Sequence, residues 1–257
     1  MREILSSIEG CRPLLLFLDY DGTLVPIQRS PDRAVLPPRR RLRLEALSKR
    51  MFVCIVSGRS LTDICWRVGI NGLAYIGNHG LEMRWGWKTW VHPLAEKRRP
   101  ALGRLLKRIE AETRRLSGIL VEDKGVTGSI HFRRLDPALV ELLRRIVTEE
   151  VARKDGAFRI AEGKRVLEIF PNIDWNKGEG IRKLRSWLPR ETETLPIFIG
   201  DDRTDEDAFR SLGGDSITIH VGRGRKTQAR FRLADVDQVW IFMAQFHSRR
   251  CSGTRAL

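Results

Sequence analysis

Cysteine is scarce in this chain of 257 residues, and the four it has are poorly placed for chemistry. Cys11, Cys54, Cys65 and Cys251 show no Cys-x-x-Cys spacing, so neither a disulfide framework nor a zinc site is supported. Cys54 sits in an apolar strand-like run and Cys65 in an expected helix, and both read as buried thiols. Long apolar runs are also missing: none approaches the roughly 20 residues that span a bilayer. The start, Met1-Arg2-Glu3-Ile4, lacks the basic-then-apolar pattern of a secretory signal. A cytoplasmic protein with no membrane partner is the expectation. There is no internal repeat or low-complexity tract.

Acidic residues are outnumbered, 32 against 47 Lys and Arg, which gives a formal net charge of +15. Such a balance raises the possibility of a nucleic-acid binder. Yet the basic residues are dispersed along expected helices at 39–50, 104–115 and 144–153, interleaved with Glu at helical spacing. Solvated helix faces explain them better, and a nucleic-acid partner is not expected. A positive field also attracts phosphorylated small molecules.

What is present is a rhythm. Apolar runs at 14–18, 51–56 and 74–77 read as strands, and 38–50 and 61–68 as helices between them. This alternation implies right-handed crossovers and a parallel sheet. The segment 81–91, with Trp85, Trp87 and Trp90 around Gly86, reads as a hairpin packed over that sheet. The pattern then changes to helix 95–116, strands 119–122 and 129–133, helix 137–153, and strands 158–161 and 166–170. That α-β-β-α-β-β order suits a small open sheet with helices on one face, inserted into the first domain. The βα rhythm resumes with helix 177–187, strand 195–199, helix 204–211, strand 217–221, a turn region at 227–231 and helix 236–247. The expected division is core 1–94, inserted domain 95–172, core 173–247 and a disordered tail 248–257.

Four short polar segments end the core strands or follow them closely. Asp19-Tyr20-Asp21-Gly22-Thr23 comes directly after the run at 14–18. Alone, Asp-x-Asp-Gly is a turn signal. It is joined by Ser57-Gly58-Arg59, by Asn176-Lys177-Gly178, and by Gly200-Asp201-Asp202-Arg203-Thr204-Asp205-Glu206-Asp207. Ligands in open α/β folds bind at this carboxyl edge of the strands.

In order and residue type these segments resemble the haloacid dehalogenase superfamily of phosphotransferases. The resemblance implies an α/β, Rossmann-like core with a mainly parallel sheet and an inserted α/β cap. It implies that Asp19 attacks phosphorus to form an aspartyl phosphate, and that Asp21 acts as general acid and then base. Ser57, the Gly58 backbone N–H and Lys177 would answer the charge on the phosphoryl group. Mg²⁺ would be held by Asp19, the Asp21 carbonyl and Asp201, with Asp202 and Asp205 as ligands or as groups orienting water. Helix capping is the plainer role for those last two, and the one left for Glu206 and Asp207. Arg59 would bind substrate or support its loop.

A finer resemblance is to trehalose-6-phosphate phosphatases, over about residues 13–246. It rests on Gly77-Asn78-His79-Gly80-Leu81-Glu82, Val121-Glu122-Asp123-Lys124-Gly125, His131-Phe132-Arg133, Glu162-Gly163-Lys164-x-Val166-x-Glu168 and the acidic segment. By this resemblance Glu122, Lys124 and Glu168 grip sugar hydroxyls. His131 and Arg133 either touch the sugar or support the cap sheet, Lys164 either touches it or sits in a surface turn, and His79 lines the pocket or closes its turn. Phe170 departs from the pattern, which commonly has a basic residue there. The implied activity is hydrolysis of trehalose 6-phosphate, the last step of trehalose synthesis, in functional pairing with a trehalose-6-phosphate synthase. The alternatives are another sugar-phosphate phosphatase, acting on sucrose phosphate or mannosyl-phosphoglycerate, a mutase or phosphotransferase, and, in a different class, a basic nucleic-acid-binding or non-catalytic regulatory protein.

Overall fold

A computed structural model describes residues 1–8, 13–28, 31–188, 194–214, 216–224 and 226–247. Cys11, Cys251 and the tail 248–257 lie outside the described residues. The chain divides into two compact units, Met1–Trp90 with Trp175–Leu257, and Val91–Asp174.

The first unit is built on a mainly parallel sheet, as expected. A short helix α1 (Arg2–Ser7) precedes β1 (Leu14–Asp19), α2 (Pro38–Ser48), β2 (Phe52–Val56), α3 (Leu61–Val68), β3 (Ala74–Gly77), β4 (Glu82–Trp85) and β5 (Lys88–Val91). In the second unit follow α4 (Pro93–Thr113), β6 (Leu120–Asp123), β7 (Gly128–His131), α5 (Val140–Ala152), β8 (Phe158–Gly163) and β9 (Val166–Pro171). The chain then completes the first unit with α6 (Lys177–Arg185), β10 (Leu195–Gly200), α7 (Arg203–Leu212), β11 (Ile217–Val221), β12 (Phe231–Leu233) and α8 (Val236–Ala244). The large sheet has the order β12-β11-β10-β1-β2-β3-β4-β5.

Alternate residues of the central strands feed two separate cores. Leu16, Leu18, Val53, Ile55, Ile197 and Ile199 pack on one face, with Leu44, Leu47, Ile64 and Phe242 from the helices. Leu15, Phe17, Cys54, Val56 and Phe198 pack on the other, with Ile181, Leu184 and Phe209. Burial on both faces is why these strands read as unbroken apolar runs rather than alternating ones. Each such side chain contributes about 1.5–3 kcal/mol on burial, so register is strongly fixed.

Three expectations change, and one short helix appears that the sequence pattern does not mark. The Trp-rich hairpin does not pack over the sheet; β4 runs antiparallel to β3, pairing Tyr75 with Arg84 and Ile76 with Met83, and so extends the sheet. The open edge of β3 needs hydrogen-bond partners, and the turn at Gly86 (φ +59°) returns the chain alongside. The turn expected at 227–231 ends in β12, which pairs Phe231 with Ile219, and three residues are too few to display a period. Helix α1 buries Ile4 in the core, although its six residues are too short a stretch to show an amphipathic pattern. Cys65 is only partly buried, unlike Cys54, and both are free thiols.

The second unit carries an antiparallel sheet of order β6-β7-β9-β8. Leu102, Leu105, Leu106 and Ile109 of α4 and Leu143, Val147 and Val151 of α5 share a core with Ile130, Leu167 and Ile169 of the sheet. A single 3₁₀ turn at Pro137–Leu139 opens what reads as one helix. With one sheet face given to helices, the other is left to the alternate residues Glu122, Ser129, His131 and Glu168. Among the described residues no helix is long and apolar enough to cross a membrane.

Candidate active site

Strands β1, β2 and β10 lie side by side and parallel, pairing Asp19 with Val56 and Leu18 with Ile199. Their carboxyl ends therefore deliver Asp19, Ser57 and Asp201 to one edge of the sheet. Asn176 caps α6, its side-chain oxygen accepting from the N–H groups of Gly178 (2.8 Å) and Glu179 (3.2 Å), which sets Lys177 as the first helical residue.

Lys177 is almost wholly buried, and its Nζ donates to Asp19 Oδ1 at 2.8 Å and to Asp205 Oδ1 at 2.7 Å. The other oxygen of Asp205 accepts the backbone N–H groups of Asp201 and Asp202, both at 2.9 Å. Asp205 thus joins the lysine to the start of α7. Gly22 (φ +88°) lies so close to Asp201 that a Cβ would fall 2.0 Å from its carboxylate, so only glycine fits there.

Asp19, Asp201 and Asp205 each bring one carboxylate oxygen within 4.8 Å of the others. Burial opposes the charge on Lys177, but Asp19 and Asp205 outweigh it and hold the ammonium protonated well above the ordinary lysine range. Burial raises Asp19, with Lys177 opposing and the two neighbouring carboxylates adding to the rise. Asp201 is pushed up to about 7, by burial first and then by Asp205. Three carboxylates against one ammonium leave the cluster short of positive charge. Oδ1 of Asp201 is buried with no hydrogen-bond partner among the described residues. An all-oxygen donor set with an unclaimed buried oxygen fits a hard divalent cation.

Asp21 stands beside this cluster, and its two oxygens accept from Arg59 Nε and Nη2 at 2.7 and 2.8 Å. Ser57 is buried, and its Oγ accepts the Arg59 N–H at 3.1 Å. The turn at 78–80 braces this loop: Asn78 N donates to Arg59 O at 2.7 Å and His79 N to Ser57 O at 3.1 Å. The His79 ring rests on Gly58, where a Cβ would come within 2.5 Å of it. Asn78 and His79 hold φ of +46° and +56°, uncommon for residues with side chains and typical of constrained functional turns. Asp202 is exposed at the start of α7 and does not join the three converging carboxylates. Glu206 has a role beyond helix charge, since it accepts the N–H of Gln228 at 2.7 Å. Asp207 pairs with Arg210 at 3.2 Å.

In the second unit the sheet register sets Glu122 opposite Ser129 and Ser129 opposite Glu168. Lys124 Nζ lies 3.4 Å from Glu168 Oε1, and His131 Nε2 lies 2.9 Å from Glu122 Oε2. Arg133 is exposed beyond β7, and Lys164 is exposed in the tight turn between β8 and β9. Phe170 is buried, with the Arg159 guanidinium 4.7 Å from its ring centroid. Sequence reasoning passed over Asp63, which takes Arg59 Nη1 at 2.9 Å and pairs with Arg67. Its only signal was the Asp63/Arg67 spacing of four on a helix.

A trehalose-phosphatase family model matches residues 17–237. The chain is similar to trehalose-phosphate phosphatase B of Arabidopsis thaliana, 32% identical over 94% of this chain and 68% of that protein. It is similar in structure to a trehalose-6-phosphate phosphatase related protein, with 27% identity, a TM-score of 0.80, and 90% of this chain and 96% of that one covered. The C-terminal domain of the C. albicans trehalose-6-phosphate phosphatase is similar too, at 25% identity and a TM-score of 0.75, with 95% of each chain covered. The family match takes in both units and runs from the strand of Asp19 past the helix of Asp205, and the chain belongs to the trehalose-phosphatase family.

Proposed function

We propose that the chain hydrolyses trehalose 6-phosphate to trehalose and phosphate through an aspartyl phosphate on Asp19. The observation that carries this reading is the family match over residues 17–237, enclosing a buried Asp19–Lys177–Asp205 ion cluster at the sheet edge.

A phosphate monoester resists direct attack by water, and a covalent step divides the barrier. A carboxylate oxygen of Asp19 forms a bond to phosphorus as the bond to the sugar oxygen breaks. Asp21 gives that oxygen a proton, so a neutral hydroxyl leaves. A water molecule then attacks phosphorus, Asp21 takes its proton, and the Asp19–phosphorus bond breaks to release phosphate. Lys177 neutralises charge around Asp19 in both steps, and the Ser57 hydroxyl with the Gly58 N–H binds phosphoryl oxygens. Asp19, Asp201 and the carbonyl of Asp21 would hold Mg²⁺, which supplies charge neutralisation at the phosphoryl oxygens.

The second unit supplies the sugar-reading groups in this proposal. Glu122, Lys124 and Glu168 offer charge-assisted hydrogen bonds to hydroxyls, with His131 beside them. A synthase making trehalose 6-phosphate would feed the reaction without needing to bind this chain. The test is phosphate release with and without Mg²⁺ from trehalose 6-phosphate, sucrose 6-phosphate and glucose 6-phosphate. Equal turnover of all three overturns the substrate assignment, and absence of a phosphorylated Asp19 in acid-quenched samples overturns the intermediate.

A further inference from the structure

A charged network runs from Asp21 away from the phosphate site. Arg59 directs Nε and Nη2 to the two oxygens of Asp21, at 2.7 and 2.8 Å, and Nη1 to Asp63 Oδ2 at 2.9 Å. Asp63 in turn receives Arg67 Nε on both oxygens, at 2.9 and 2.8 Å. Arg67 Nη1 reaches the backbone carbonyls of Asp32 and Ala34 at 3.2 and 3.3 Å. Asp63 itself is fixed by α3, where its N–H donates to the capping Ser60 Oγ at 3.2 Å. The guanidinium of Arg59 also lies 5.8 Å from the ring centroid of Tyr20.

These contacts differ from a solvated ion pair. The Arg59 and Arg67 side chains are only 12% and 6% exposed, so neither moves freely. A two-bond fork fixes the plane of a carboxylate as well as its position, which a single contact cannot do. Asp21 sits on a loop with a side chain 38% exposed, and without such a fork its carboxylate would swing. All three guanidinium nitrogens of Arg59 already face carboxylates of its own unit, which leaves little of it to grip a phosphate.

We propose that Arg59 is a positioning residue: it aims the carboxylate of Asp21 at the bond made and broken on Asp19, and Asp63 and Arg67 of α3 hold it in place. This rests on the reading of Asp19 as nucleophile and Asp21 as acid–base group. Misplacing a reacting group by about 1 Å can cost on the order of 100-fold in rate. Lysine offers a point charge instead of a fork, so it restores position but not plane.

The experiment is steady-state and single-turnover kinetics on trehalose 6-phosphate with the full chain. Arg59→Gln should lower kcat about 100-fold and leave KM within about threefold, while Arg59→Lys and Asp63→Ala should each lower kcat about tenfold. In an Asp21→Asn background, Arg59→Gln should add less than about threefold, because its effect passes through Asp21. A raised KM with kcat intact would make Arg59 a substrate ligand and overturn the proposal. Full additivity with Asp21→Asn would overturn it too, and an unchanged Asp63→Ala would remove α3 from the device. Should Arg59→Gln fail to fold, Arg59→Lys in the same two backgrounds separates the same outcomes. Wild-type chain that releases no phosphate from trehalose 6-phosphate overturns the parent reading, and this proposal with it.

Discussion

The candidate functional groups of the two units hold their charge in different settings. In the first, Lys177, Asp19 and Asp205 are withdrawn from water and each is matched to a named partner. In the second, exposure is graded, from 44% at Glu122 and 26% at His131 to 21% at Glu168 and 10% at Lys124, on a sheet face that no helix of that unit covers. Groups that must meet a forming bond gain from fixed dipoles in a dry setting. Groups that exchange water for sugar hydroxyls, the role proposed for those of the second unit, need to stay hydrated until the ligand arrives. Difference in burial, more than in residue type, separates the two sets: both hold a lysine and carboxylates, and the second adds His131.

The sharpest way to break that contrast is Asp19→Asn. Loss of the proposed nucleophile should lower phosphate release by at least about 10⁴-fold, with the circular dichroism spectrum unchanged. Retained turnover would place the chemistry elsewhere. Lys177→Met tests the dry cluster as a structural feature. Removing one partner from a buried ion pair costs about 3–5 kcal/mol, which denaturant unfolding should register. A cost below about 1 kcal/mol would mean the cluster is hydrated like the face of the second unit.

If Asp201 holds a divalent cation as proposed, proton and metal compete for it. With its carboxyl pushed up to about 7 from an ordinary 3.8, the folded metal-free protein holds a proton there that the unfolded chain has already lost. Stability from this group is therefore lost as pH rises from about 4 to about 7. A divalent cation bound there would take the place of that proton, so the thermal shift on adding Mg²⁺ should grow between pH 5 and pH 8. Equal shifts at both pH values would detach Asp201 from the metal. Glu168→Gln probes the wet face: KM for trehalose 6-phosphate should rise about tenfold with kcat preserved, the scale of one charge-assisted hydrogen bond. Lys164→Ala, in an exposed turn, should change stability by no more than about 0.5 kcal/mol, and a KM within about twofold of wild type would keep it out of the recognition face.

The central strands were legible because β1, β2 and β10 are apolar on both faces, and the polar residues that end them mark the sheet edge without ambiguity. Helix ends shifted by a few residues, as at α2 and α4, where no glycine or capping side chain stops the helix sharply. Less visible were the elements whose reason lies elsewhere in the chain. Strand β4 pairs because β3 would otherwise have an open edge, and β12 because β11 would. The contact of Asp21 with Arg59 spans 38 positions and leaves no periodic trace.

By itself the sequence determined which groups could do chemistry and at which strand ends they stand. Residue type and strand burial are local properties, and local properties leave periodic and compositional marks. Only the tertiary structure decided how those groups share their hydrogen bonds: that Lys177 is divided between Asp19 and Asp205, that Asp201 keeps an oxygen unclaimed, and that Arg59 turns toward Asp21. Each of those choices is a competition among neighbours brought together by strand register and helix caps, and its outcome depends on distances that no spacing along the chain encodes.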